Sequence, residues 1–115
     1  MPQAGKLLDR IQVQGAVADT QSLFSAARHI AIARSGVSTV EIDTAARTMY
    51  VSVAGDTGRK RDIGVEHDVQ LSASRLRMSY SPTGIGYGAA NLSVVVRRNA
   101  VVDTVFVSRL GRVRH

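Results

Sequence analysis

The chain has 115 residues, 44% of them apolar and 21% charged, which fits one ordinary domain around a single core and excludes a disordered chain. Fifteen Lys and Arg against nine Asp and Glu leave a net charge of +6, suited to a polyanionic partner: nucleic acid, an anionic membrane face or an acidic protein surface. There are no cysteines, so disulfides, thiolate metal ligation and cysteine nucleophiles are excluded.

In chain order, residues 1–6 show no pattern and read as a leader ahead of a single domain spanning 7–115. Up to about Arg34, Gly15 is the one strong helix breaker after that leader. Ala16, Thr20, Leu23, Ala27 and Ile30, with Phe24 and Ala31 alongside, recur at spacings of three and four. They predict an amphipathic helix over about 7–34. Asp9, Arg10, Asp19, Gln21, Arg28 and Arg34 fall largely outside that stripe. Ser35-Gly36 ends the helix, with Gly36 suited to a left-handed C-cap. Leu7, Leu8 and Ile11 are expected to be exposed on an isolated domain and to fray.

Beyond Gly36 the period changes to two. Ser38–Asp43 and Thr48–Val53 alternate, with residues 43–47 as the turn between them. Residues 54–61 read as a polar, glycine-containing loop. Short strands are expected near 63–65, 69–73 and 77–80, and residues 81–88 form a turn-rich loop. Strands at 91–97 and 101–107 are joined by Arg98-Asn99-Ala100, and 108–115 form the tail. One long helix followed by strands over about 37–114 predicts an α+β domain, the helix packed on antiparallel sheet.

The basic residues cluster. Arg109, Arg112 and Arg114 fall within six residues of the C-terminal segment, and Arg97 and Arg98 lie in the turn before the last clear strand. If the tail is extended, Arg112 and Arg114 point to one side about 7 Å apart, and Gly111 allows close backbone approach. Two readings stay open: a phosphate-binding end, or a solvated terminal strand whose arginines discourage edge pairing. Arg59-Lys60-Arg61 is a second cluster, read as a solvated loop or an extension of the same surface.

Other motifs carry less. Gly84-x-Gly86-x-Gly88 lacks the strand–helix context and the Gly-Lys-Ser/Thr of a phosphate loop. It reads as a flexible loop, with Tyr87 a candidate base-stacking group. Glu66-His67-Asp68 on an extended chain alternates faces and makes no relay. His29 and His115 are isolated, and no nucleophile elbow occurs. The expectation is a binding or structural module, not an enzyme, with no cofactor, metal or small-molecule substrate.

The order of elements and several local segments resemble the type IV pilin and pseudopilin superfamily, GspH/FimT branch. Leu8-Asp9-Arg10-Ile11 through Ala26-Ala27-Arg28 is similar to the periplasmic half of that family's spine helix. Ala31 to Gly36, running into Ser38 to Asp43, resembles its passage into the first strand. Tyr80-Ser81-Pro82-Thr83-Gly84 is similar to its aromatic-x-Pro-x-Gly loop, and the ending Val105 to Arg114 to its closing strand and Gly-Arg-x-Arg tail. The resemblance implies a minor pilin that captures DNA for uptake in natural transformation. Gly111, Arg112 and Arg114 would carry it, helped by Arg109, Arg97, Arg98 and the Arg59, Lys60, Arg61 cluster. The alternative it implies is a GspH-like minor pseudopilin of a type II secretion system, contacting other subunits and indifferent to DNA. Either way it implies other pilin subunits as partners, and an inner-membrane tether through an apolar helical half, with its prepilin cleavage site, that this sequence lacks.

Overall fold

A computed structural model describes residues 2–53, 56–86, 91–108 and 113–114. Helix α1 runs Pro2–Arg34, so the segment expected to be a leader is helical from Pro2 onward. Its 33 residues at 1.5 Å each make a rod of about 50 Å, and this rod sets the long dimension of a molecule measuring 51 × 23 × 21 Å.

The buried side of α1 is the predicted stripe, lengthened toward the N-terminus by Val13 and widened by Val17. Ala16, Thr20, Leu23, Phe24, Ala27 and Ala31 are all buried, and Ile30 is partly so. Thr20 fits because its Oγ1 donates to Ala16 O at 2.8 Å, a bond made inside its own helix. Leu7, Leu8 and Ile11 are exposed as expected. They are helical, however, and not frayed. At the other end Ser35, not Gly36, takes the left-handed conformation (φ 49°). Ser35 N–H donates to Ile32 O and Gly36 N–H to Ala31 O, the paired bonds of a Schellman ending.

Two four-stranded antiparallel sheets follow. The first is ordered β3-β2-β1-β5, from β1 (Ser38–Asp43), β2 (Thr48–Val53), β3 (Asp56–Arg61) and β5 (Arg77–Tyr80). The second is β4-β6-β7-β8, from β4 (Gln70–Ala73), β6 (Leu92–Arg98), β7 (Val101–Val107) and β8 (Val113–Arg114). Val40, Ile42, Met49, Val51 and Met78 from the first sheet and Leu71, Val94, Val96, Val105 and Val107 from the second join α1 in one core. Each large side chain so buried contributes about 1.5–3 kcal/mol. Ser38 is also buried, its Oγ donating to Ala27 O at 2.7 Å, which ties the start of β1 to the helix.

Two expectations need correction. Residues 56–61 form strand β3, not a loop: Asp-Thr-Gly-Arg-Lys-Arg has no apolar alternation to signal a strand, and backbone pairing to β2 holds it, with a bulge at Val51/Ser52. The expected strand at 63–65 is instead the short helix α2 (Ile63–Glu66), which buries Ile63 and Gly64.

Candidate functional site

The described basic side chains divide into those the fold consumes and those it presents. Arg98 ends β6 with a side chain only 17% exposed. Its Nε donates to Asp9 Oδ1 at 2.7 Å and its Nη1 to Asp68 Oδ2 at 2.7 Å. Asp9 accepts a further bond from Asn99 Nδ2 at 3.1 Å. Asn99 occupies the β6–β7 turn at φ 53°, a conformation that asparagine tolerates well. The guanidinium is held charged by Asp9 first and then Asp68, which raise its pKa. This explains why Asp9, outside the predicted stripe, is buried: it anchors the N-terminal half of α1 to the hairpin. Arg98 is therefore a structural ion-pair residue, and the expected role on phosphate does not suit it.

Arg61 is consumed in the same way. Its Nη2 donates to Asp19 Oδ2 at 2.8 Å and to Glu66 Oε2 at 2.9 Å. The Glu66 bond first, then the Asp19 charge, raises its pKa. His67 Nε2–H donates to the same Asp19 oxygen at 2.6 Å. Asp19, Glu66 and His67 thus bring three potential ligand atoms within 4.8 Å of one another, but the Arg61 guanidinium already supplies the cation between the two carboxylates. The expectation that Glu66 and His67 diverge fails because they close a helical turn and are not extended; Asp68 alone turns away, to Arg98. Gly15 was the sequence signal for this cluster. A Cβ there would lie 2.9 Å from His67 Nδ1, so the mid-helix glycine makes room for the ring.

The Arg59-Lys60-Arg61 run is consequently not one patch. Lys60 pairs in register with Tyr50 and Arg61 with Met49, so neighbours face opposite sides of the sheet. The outward row across the first sheet reads Lys60, Tyr50, Glu41, Arg77. Arg77 donates to Glu41. The Tyr50 hydroxyl, followed by Arg77, holds the Glu41 carboxyl below its ordinary pKa, while Glu41 raises that of Tyr50. Lys60 lies 4.0 Å from Asp62. This face neutralises itself.

The second sheet differs. Arg97 is exposed beside Gln70 on β4 and Val102 on β7. Phe106 and Val102 are 49% and 47% exposed on the same outward side, and no ion pair among the described residues involves Arg97 or the exposed Arg59. The β7–β8 register sets Arg114 opposite Phe106 and Val113 opposite Val107, which brings the backbone of these two residues onto this sheet. Arg109, Gly111 and Arg112 lie outside the described residues, as do Tyr87 and Gly88. Gly84 of the glycine loop adopts φ 83° and packs on α1, its carbonyl accepting from Arg28 Nε at 3.1 Å. That fixes the described part of the loop to the helix.

A long N-terminal helix lying across antiparallel sheets, with Leu7, Leu8 and Ile11 left uncovered, defines a type IV pilin-like fold. Two crystal structures of the type IV minor pilin FimU from Pseudomonas aeruginosa PAO1 share it. One has a TM-score of 0.77 and 14% identity over 94% of this chain and 90% of that one. The other, in a second crystal form, has a TM-score of 0.72 and 13% identity over 88% and 90%. No family model and no curated relative matches the sequence. No helix among the described residues is long and apolar enough to cross a membrane.

Proposed function

We propose that the protein is a minor pilin of a type IV pilus and that it binds DNA non-specifically, for uptake in natural transformation. The observation that carries the filament role is α1. Its later turns are buried in the domain, whereas Leu7, Leu8 and Ile11 stand exposed on a continuous helix. Such an apolar end is costly on a lone subunit and natural against the helices of neighbouring subunits. An apolar helical half preceding it would tether the subunit to the inner membrane before assembly. The work of such a subunit is assembly and binding, and no catalytic step is assigned to it.

DNA binding rests on charge. Arg112 and Arg114, with Gly111 preceding them in the sequence, are the principal phosphate contacts in this reading. Arg109, the exposed Arg97 and, more distantly, Arg59 assist; Lys60, on the self-neutralised face beside Asp62, does not. Guanidiniums contacting phosphates release counterions and read little sequence. With about four phosphates engaged, log affinity falls against log salt with a slope of roughly −3 to −4. Fluorescence anisotropy of labelled DNA at several salt concentrations tests this on the parent and on Arg112→Ala/Arg114→Ala. Absence of binding at low salt, or a double variant that binds like the parent, removes the DNA reading.

A second reading, a GspH-like pseudopilin of a type II secretion system, draws on the internal use of Arg61 and Arg98. Fewer free cations suit a protein partner better than a polyanion. Binding to candidate minor subunits with no response to DNA would favour it.

A further inference from the structure

Phe106 is the one feature of the second sheet that phosphate contacts leave unexplained. It is 49% exposed on the outward face near the end of β7, a strand flanked on both sides by β6 and β8. Its cross-strand neighbours are Ser93 on β6 and the backbone of Arg114 on β8. Along β7 the same face carries Thr104 and the exposed Val102, with Val95 and Arg97 beside them on β6. None of the outward positions described on β4, β6 and β7 is Asp or Glu, in a chain that has nine acidic residues. Phe106 and the Arg97 position are separated by four residues of strand, about 13 Å. The face therefore offers a flat aromatic ring, small hydroxyl neighbours with Val95 and Val102 beyond them, a free guanidinium a few nucleotides away and no repelling charge.

We propose that the outward face of the β4-β6-β7-β8 sheet is a stacking platform for single-stranded DNA, with a base on the Phe106 ring and backbone phosphate on Arg97. The inference rests on the DNA reading above and names the form of nucleic acid that this surface takes. Bases have apolar π-faces that stack on aromatic rings whatever their sequence, and a basic surround tracks the backbone. A duplex keeps its bases stacked on one another, so Phe106 reaches none of them without flipping one out. Discrimination between single strand and duplex follows from the ring. Salt sensitivity follows from the arginines.

The test is anisotropy titration of a short labelled mixed-sequence strand, alone and annealed to its complement. It compares the parent, Phe106→Ala, Phe106→Tyr and Arg97→Ala, with circular dichroism melts to confirm that each is folded. Phe106→Ala is expected to weaken the single strand about tenfold with an unchanged salt slope, and the duplex less than twofold. Phe106→Tyr, which keeps the ring, stays within about twofold on both. Arg97→Ala lowers affinity for both forms and flattens the salt slope. Equal losses on strand and duplex, or no loss on either, overturn the platform. So does a Phe106→Ala protein that binds DNA normally but fails to join other subunits, since the face is then a protein interface. Parent binding that depends on Arg112 and Arg114 but not on Phe106 removes the platform and leaves the DNA reading standing. No parent binding to either form removes both.

Discussion

The two sheets share one core and one helix, yet their outward faces handle charge in opposite ways. On the first, Arg77, Glu41, Tyr50 and Lys60 form a cross-strand row in which a base meets an acid that also accepts from a phenol. On the second, the described outward positions of β4, β6 and β7 include Arg97 and the exposed Val102 and Phe106 but no carboxylate. The lesson is that a net charge of +6 says little about where cations are available. Arg61 and Arg98 count toward it and are spent inside the fold.

Substitutions at four positions probe how the two faces differ. The largest expected effect is on stability, with Asp9→Ala, which leaves a largely shielded guanidinium without the more buried of its two carboxylates. A melting temperature lower by about 10 °C is expected, with DNA affinity within about twofold of the parent at fixed salt. A normal melt would show that the Asp9–Arg98 pair is not what holds α1 to the β6–β7 hairpin. Next, Arg97→Ala is expected to lose about threefold to fivefold in affinity for single-stranded DNA, with a salt slope shallower by about 0.7 and an unchanged melt. Glu41→Gln, on the self-neutralised face, should change DNA affinity by less than about twofold in a salt titration. A larger gain would mean that the first sheet also binds.

The smallest effect concerns Tyr80, which is fully buried, its hydroxyl without a hydrogen-bond partner among the described residues. Burial pushes its pKa from 10.0 up to about 12. The folded state therefore disfavours the phenolate, so Tyr80 contributes stability in full below pH 10 that is lost as pH rises from 10 toward 12. Urea unfolding at pH 8 and pH 11 should show the parent weakening and Tyr80→Phe weakening less, with Tyr80→Phe no less stable at pH 8. Equal pH dependence in the two proteins would refute this.

The sequence was most legible where burial is one-sided. The stripe from Ala16 to Ala31 and the alternations of β1, β2, β6 and β7 signal themselves, because one face must be apolar. Strand β3 was not legible: it is a polar edge held by backbone pairing, and composition carries no trace of that. Helix α2 is too short for a helical period to register against the strand it mimics. At the candidate site, proximity in sequence misled. Arg59-Lys60-Arg61 and Arg97-Arg98 look like clusters, but alternation along a strand sends each neighbour to the other side of the sheet, where Asp19 and Asp9 take Arg61 and Arg98. Those carboxylates sit 42 and 89 residues away, beyond any local pattern. Gly15 alone hinted at a close approach to the helix.

If single-stranded DNA lies on the second sheet, adding a short strand to the labelled protein should move amide chemical shifts on β6, β7 and β8, at Arg97, Val102, Phe106 and Arg114, and leave the Lys60, Tyr50, Glu41 and Arg77 amides still. Shifts that centre on the first sheet, or spread evenly over both, would contradict it.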